Sequence, residues 1–242
     1  MEHNDFSLII AAGGSGSRMG SDIKKQLIMW KGHPLIYHSL LAFFECGVRH
    51  AVIVCPKGER EKYEELFVAS EENRVSLELS VEVTEGGAER YDSVYRGLSL
   101  IDSTFVMVHD AARPFVTGDI ISSVIRDTRD YDAAIAAVPV KDTIKMIDDN
   151  GFCESTPDRS RLYAVQTPQG FRTDILKQAY ESFFEERKKG ASINVTDDAM
   201  LIERYTDVKV FLSKGAYSNL KITTPDDLRG LYGQGDVSLV RR

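Results

Sequence analysis

Short apolar runs recur along this chain, and their alternation with helical stripes limits the fold more than any other property. SLIIAA (7–12), AVIVC (51–55), FVMVH (105–109) and AAIAAV (133–138) are continuous runs, the pattern of strands buried on both faces. Between them lie helical patterns. From Pro34 to Cys46, Ile36, Leu40 and Phe43 share a face, with Pro34 suited to a first turn and Gly47 to a C-terminal cap. A charged helix is expected from Arg60 to Ser70 and a strand from Val75 to Val83. A helix from Arg90 to Leu100 would set Val94, Leu98 and Ile101 on one side, and another should run from Asp119 to Arg129. Such strand–helix–strand units predict an α/β fold, a mostly parallel twisted sheet with helices on both faces.

That rhythm breaks after Pro139. DTIKMI (142–147) carries no helical stripe, and Asn150-Gly151 is a strong hairpin signal. Residues 140–164 therefore read as a β-arm protruding from a single domain made of residues 1–139 and 165–230, with 231–242 as a peripheral C-terminal tail. Within that domain a helix is expected from Thr173 to Lys188, another from Thr196, and a strand from Val208 to Leu212. Thr224-Pro225-Asp226-Asp227 has the make-up of a helix start: hydroxyl cap, proline first, carboxylate third.

Composition narrows the function classes. Hydrophobic residues are 43% of 242, enough for a substantial core, while 30 basic against 37 acidic residues give a net charge of -7. That balance argues against a nucleic-acid coat or a polybasic membrane binder, though a small anion needs only local positive charge. Cys46, Cys55 and Cys153 are odd in number and not closely spaced, which speaks against a disulfide framework or zinc knuckle and for buried thiols in a reducing compartment. The opening MEHNDFSLIIAAGG has two acidic residues and a short apolar stretch, unlike a secretory signal, and no run is long enough for a membrane span. A cytoplasmic protein with neither nucleic acid nor membrane as partner is expected.

The loop after the first strand, AAGGSGSRMG (11–20), fails the dinucleotide fingerprint. Met19 stands where Gly14-x-Gly16 would need a third glycine, and AVIVC ends in Cys55-Pro56 instead of an acidic residue. It also fails the Walker pattern, having no Gly-Lys-Ser/Thr. What remains is a Gly- and Ser-rich loop at a strand end followed by Arg18, Lys24 and Lys25, suited to phosphates through close backbone approach and positive charge. The competing reading is a structural loop. Gly86-Gly87-Ala88-Glu89-Arg90-Tyr91-Asp92-Ser93 opens a helix as either a ligand-binding turn or a plain cap. His109-Asp110-Ala111-Ala112-Arg113 ends a strand with a carboxylate able to ligate Mg²⁺, or with an Asp–Arg pair that holds the loop; His109 itself reads as packed or hydrogen-bonded. Lys221 precedes the Thr224 cap and is either a ligand contact or a solvated lysine. In an open parallel sheet the Gly13 loop, Asp110 and Lys221 would share the carboxyl edge, where ligands sit.

These stretches, with KKQ (24–26), VPVKDTIK (138–145), TPDRSRLYAVQTPQGF (156–171), VTDDAML (195–201) and NLKITTPDDL (219–228), resemble the 2-C-methyl-D-erythritol 4-phosphate cytidylyltransferases of the non-mevalonate isoprenoid pathway, in order and over essentially the whole chain. The resemblance implies a Rossmann-like nucleotidyltransferase fold and a homodimer formed through the β-arm. It also implies a Mg²⁺-dependent reaction of CTP with 2-C-methyl-D-erythritol 4-phosphate that gives CDP-methylerythritol and pyrophosphate. Leu27 stands where an aromatic residue is common in that family, and Tyr163 where Trp is frequent.

By the same resemblance Arg18, Lys25 and Lys221 match catalytic positions that hold and neutralise phosphates. Ala11, Ala12, Gly13, Gly14, Gly16, Gly86, Ser93 and Ala111 match nucleotide contacts, and Asp110 the Mg²⁺-linked carboxylate that also faces substrate. Arg113, Thr196 and Thr167 match the methylerythritol phosphate pocket, as do Thr143 and Arg159, which are expected to serve the neighbouring subunit. An already anionic substrate phosphate needs no protein nucleophile, which suits a site of Arg, Lys and carboxylate. The rivals are a relative acting on ribitol 5-phosphate or another polyol phosphate, and a non-catalytic nucleotide-binding protein. A nicotinamide oxidoreductase is disfavoured by the failed fingerprint.

Overall fold

β1 (Phe6–Ala11) divides its side chains between two cores: Leu8 and Ile10 face one, Ile9 the other. β4 (His50–Cys55) does the same, with Ala51, Ile53 and Cys55 against Val52 and Val54. This is why the runs are continuous and not alternating: helices cover both faces, so both parities must be apolar. The computed structural model describes residues 3–13, 24–72, 75–76, 78–224, 227 and 237–239, and of Lys25 and residues 237–239 the backbone alone.

After a 3₁₀ turn (Lys25–Leu27) come the short strands β2 (Ile28–Trp30) and β3 (His33–Pro34), then α1 (Leu35–Glu45) and β4. α2 (Arg60–Glu64) passes into a π turn (Glu65–Ala69) before β5 (Ser80–Glu85), α3 (Arg90–Leu98), β6 (Phe105–Asp110), α4 (Gly118–Tyr131) and β7 (Ala133–Pro139). β8 (Met146–Ile147) and β9 (Cys153–Ser155) form a small hairpin, followed by β10 (Tyr163–Arg172), α5 (Thr173–Lys188), α6 (Ala199–Tyr205), β11 (Phe211–Lys214) and β12 (Val237–Leu239). The main sheet runs β11-β7-β10-β6-β1-β4-β5, parallel throughout except for β10, which is antiparallel to both β6 and β7. α1, the Tyr63–Phe67 segment and α4 pack on one face, and α3, α5 and α6 on the other. The α/β class with a mostly parallel sheet is as the sequence predicts.

Three boundaries move, each because tertiary packing outweighs local pattern. The strand expected at Val75–Val83 lies at Ser80–Glu85, where parallel pairing sets His50 against Ser80; Leu79 is buried in the preceding turn. Val208 and Val210 pack on the α5–α6 side, and the ladder to β7 begins only at Phe211. α6 begins at Ala199 and not at Thr196, because the Asp197 carboxylate accepts from the Met200 amide while Asp198 turns inward. β10 is an addition: a ten-residue strand at the heart of the sheet, which the sequence pattern does not announce.

The arm follows its turn signal. Gly151 has φ +86°, its amide donates to Asp148 O, and Asp148 N donates to Phe152 O, a three-residue hairpin loop with glycine in the left-handed position. Its apolar residues are uncovered: Met146, Ile147 and Phe152 are 52%, 64% and 73% exposed. At the other end of the chain β12 pairs with β2, so this part of the tail joins a three-stranded sheet; Thr224 and Asp227 exchange the hydrogen bonds of a capping box.

Candidate active site

β1 and β6 are neighbours, with Ala11 opposite Asp110, yet the chain leaves β1 toward β4 and β5 on one side and reaches β6 on the other. The carboxyl ends of β1 and β6 therefore flank a topological switch point, where backbone loops diverge and open a crevice. Asp110 ends β6 there, and the Ala111 amide donates to Ala11 O.

Three cations surround the Asp110 carboxylate. Lys221 Nζ lies 2.8 Å from Oδ2, Arg113 Nε 3.6 Å from Oδ2 and Arg90 Nε 3.7 Å from Oδ1. Burial alone would raise this carboxyl, but the charges of Arg90, Lys221 and Arg113 outweigh it and hold the group well below the usual carboxylate range. Arg90 is shared: its guanidinium donates to Asp198 at 2.6 Å, and the fully buried Asp198 also accepts from the Tyr180 hydroxyl at 2.6 Å. Burial works against the Arg90 charge, and the Asp198 and Asp110 carboxylates more than offset it, raising its pKa.

Lys221 sits in irregular backbone pinned on both sides. Asn219, fully buried, donates through Nδ2 to Thr167 O (2.9 Å) and Gln166 Oε1 (3.2 Å), and its own carbonyl accepts from Arg113. The Ile222 amide donates to Ala112 O, and the Ile222 side chain fills a small core with Ile28, Trp30 and Leu35. Anchors two residues before and one after fix where the lysine emerges. Half-exposed as it is, Lys221 is no freely solvated side chain.

A second group gathers at the ends of β1 and β5. The Ser93 hydroxyl donates to Glu89 O and accepts from the Gly87 amide, and the Gly86 amide donates to Cys55 O. A Cβ on Gly13 would come within 3.2 Å of Ser93 Oγ, and one on Gly86 within 2.5 Å. Both glycines therefore let two strand ends close on one hydroxyl, a use for glycine that a ligand-approach argument alone does not require. Ala12 O accepts from the buried amide of Gln26, which also donates to Tyr63. Gln26 thereby ties the turn containing Lys25 to the end of β1.

Of the residues singled out from sequence, Ala11, Ala12, Gly13, Gly86, Ser93, Asp110, Ala111, Arg113, Thr167 and Lys221 lie along this edge. Gly14, Gly16 and Arg18 lie outside the described residues. Thr167, buried, takes the Asp110 amide on its hydroxyl. Thr196 is exposed and directly precedes Asp197, whose carboxylate accepts from Gln169. Thr143 and Arg159 are exposed on the arm, where Arg159 donates to Lys141 O; among the described residues no hydrogen bond or ion pair joins either to the Asp110 cluster. Arg90, Asp198, Gln26 and Asn219 were not singled out, although all four stand inside the quoted motifs. Arg90 and Asp198 stand among other charged residues at polar helix starts, so nothing local marks them, and their meeting spans 108 positions.

Comparison with known proteins bears on the whole chain. The family model for 2-C-methyl-D-erythritol 4-phosphate cytidylyltransferase (IspD) matches residues 6–230. Curated relatives of that name include one from Clostridium perfringens, 42% identical over 222 residues that cover 91% of this chain and 94% of that one. Another, from Lachnospira eligens, is 40% identical over 94% of this chain and 98% of its own. Among solved structures, the 4-diphosphocytidyl-2C-methyl-D-erythritol synthase of Anaerococcus prevotii superposes with a TM-score of 0.79 at 28% identity, covering 95% of this chain and 97% of that one. The 2-C-methyl-D-erythritol 4-phosphate cytidylyltransferase of Thermus thermophilus gives 0.73 at 28% identity, covering 97% and 98%. With the motifs in order, the folds superposed and both lengths covered, this chain belongs to the 2-C-methyl-D-erythritol 4-phosphate cytidylyltransferase family.

Proposed function

We propose that this protein transfers the cytidylyl group of CTP to 2-C-methyl-D-erythritol 4-phosphate. The observation that carries this reading is the buried Asp110 carboxylate ringed by Arg90, Arg113 and Lys221 at the switch point of the sheet in a chain of this family. Three cations against the Asp110 and Asp198 carboxylates leave an excess of positive charge inside an acidic protein, which focuses the field on phosphate groups. A phosphate oxygen of the acceptor attacks the α-phosphorus of CTP; the new P–O bond forms as the bond to the β-phosphate oxygen breaks, and the electron pair leaves with pyrophosphate. No proton must be removed from the nucleophile, so positioning and charge compensation suffice.

In this reading Arg18, Lys25 and Lys221 hold the triphosphate and offset charge growing on the transferring and leaving groups. The backbone at Ala11, Ala12, Gly13, Gly14 and Gly16, with Gly86, Ser93 and Ala111, receives cytosine and ribose. Arg113 and Thr196 bind methylerythritol phosphate, with Thr167 in the floor of the pocket, and Thr143 and Arg159 reach the site of a second copy. The functional unit is one nucleotidyltransferase domain (1–139 with 165–230) bearing the arm 140–164, paired as a homodimer through that arm and working in the cytoplasm. No helix among the described residues is long and apolar enough to cross a membrane.

A Mg²⁺ ion fits Asp110 only as a companion of the nucleotide. The described residues hold no group of three metal-ligating side chains, and three neighbouring cations oppose a resident metal. One hard carboxylate plus substrate phosphates is nevertheless a usual ligand set for Mg²⁺. Bound so, the ion would supply further charge neutralisation on the phosphates. The test is pyrophosphate release from CTP and Mg²⁺ with methylerythritol phosphate or ribitol 5-phosphate offered separately. Turnover with the former is expected. Exclusive turnover of ribitol phosphate replaces the acceptor, and no turnover with either leaves a nucleotide-binding protein.

A further inference from the structure

The Asp110 amide lies where a ladder runs out. β6 and β10 pair from Phe105 opposite Arg172 to Val108 opposite Gln169. The next equivalent step would set Asp110 against Thr167, but β10 is irregular between Val165 and Gln169. The buried Asp110 N–H, left without a strand carbonyl, donates instead to Thr167 Oγ1 at 3.0 Å. An unpaired buried amide would be costly, so the hydroxyl stands in for the missing carbonyl.

A hydroxyl serves reliably as acceptor toward one side when its own proton is engaged elsewhere. His109 Nδ1 lies 3.1 Å from Thr167 Oγ1, and on the far side of the ring Nε2 lies 3.1 Å from Arg113 O. A carbonyl only accepts, so the proton of the neutral, buried ring is on Nε2, and Nδ1 is left to accept from Thr167. The Arg113 amide in turn donates to Asp110 O at 3.0 Å. One imidazole thus spans the turn from Asp110 to Arg113: it orients the hydroxyl that holds the first amide and ties down the last carbonyl. Phe43 packs edge-on against the fully buried ring at 5.2 Å between centroids.

We propose that His109 is a positioning residue for cytidylyl transfer. Through the Thr167 hydroxyl and the Arg113 carbonyl it sets the places of the Asp110 carboxylate and Arg113 guanidinium relative to Lys221. It touches no substrate, and its role rests on the reading of this site as a cytidylyltransferase centre.

The test compares His109→Phe, which fills the ring's space without either hydrogen bond, with Thr167→Val, Thr167→Ser and the double variant His109→Phe/Thr167→Val. Rates are taken per folded molecule. His109→Phe and Thr167→Val should each lower kcat about 10- to 100-fold, the scale of a small misplacement of reacting groups, while KM for CTP moves less. Thr167→Ser should restore most of the rate. The double variant should be no worse than the poorer single one, because both break the same link. Wild-type kcat per folded molecule in His109→Phe, or losses that multiply in the double variant, would overturn the proposal. If His109→Phe does not fold, the Thr167 pair decides, with ¹⁵N–¹H ring correlations of the wild-type histidine beside it. Nε2 should be protonated and Nδ1 bare, and the opposite tautomer refutes the arrangement. Wild-type turnover judges the reading of the site separately, since the ring spectrum needs no catalysis.

Discussion

At the scale of single residues, Lys221 should bear on activity almost alone, and His109 on stability as well as on rate. Lys221 Nζ pairs with Asp110, but its side chain is 43% exposed, so Lys221→Ala should change the free energy of unfolding by no more than about 1 kcal/mol. If the lysine faces the α-phosphate, kcat should nevertheless fall by roughly 10²- to 10³-fold, the scale for losing one preorganised charge contact in the transition state. Thermal melts beside pyrophosphate release check both halves. His109 should act on stability. Burial pulls its pKa down from 6.5 to about 4, against the attraction of Asp110 and with help from Arg113 and Lys221. Between those values the unfolded chain takes up a proton that the folded one refuses, so stability is full above pH 6.5 and is lost as pH falls toward 4. The loss is on the order of 3 kcal/mol, each pKa unit being worth about 1.4. Asp110, held low, contributes above the ordinary carboxylate pKa and loses its share only below that window. Denaturant titrations at pH 7.5 and 4.5 should show the His109 slope in the wild type and a flatter one in His109→Phe. Residues such as these were half legible: the motif names Asp110 and Lys221, but Arg90's buried partner lies 108 positions away, where no local pattern reaches.

Among the elements, β10 shows what periodicity cannot see. Strands β1, β4, β6 and β7 were readable because two covered faces demand unbroken apolar runs. β10 lies in the same sheet between β6 and β7, yet reads YAVQTPQGFR, because its middle serves the site and not the core. Gln166 and Thr167 are spent on Asn219 and Asp110, and Gln169 bridges Asp197 and the Ala199 amide. Gly170 is there for α4: a Cβ would collide with Thr128 Oγ1 and come within 3.0 Å of Val124 Cγ1. Strand and helix both carry core side chains at this contact, so neither can retreat cheaply. Gly170→Ala should therefore cost about 1–3 kcal/mol, the range for overpacking. Thr128→Ala in the same chain should return part of it, since among the described residues the Thr128 hydroxyl has no hydrogen-bond partner to lose. Urea titrations of the two variants measure both numbers. Failure of the second change to help would mean that the strain lies in the backbone.

On the scale of the whole molecule, the arm is the feature that one chain leaves unfinished. A two-stranded hairpin is marginal alone in water, and this one presents Met146, Ile147 and Phe152 to solvent, with Ile144, Tyr163 and Val165 also exposed. Exposed apolar side chains in such number call for a partner surface, and among the described residues nothing joins Thr143 or Arg159, both expected at a site, to the Asp110 cluster of their own chain. If a second copy supplies both needs, the catalytic centre is divided between chains, and that division can be counted. Lys221→Ala disables the centre from within, and Arg159→Ala disables it from the neighbour. In a mixed dimer one of the two centres receives its lysine from the Arg159→Ala chain and its arginine from the Lys221→Ala chain, and is whole. Denaturing the two inactive variants together in equal amounts and refolding them should give half mixed dimers with one working centre each, about one quarter of the wild-type rate. Sedimentation should show dimers for both variants, and Phe152→Ser with Ile147→Ser should shift the chain toward monomer and lower the rate with dilution. No recovered activity in the mixture, with both variants inactive and dimers intact, would mean that Arg159 serves its own chain.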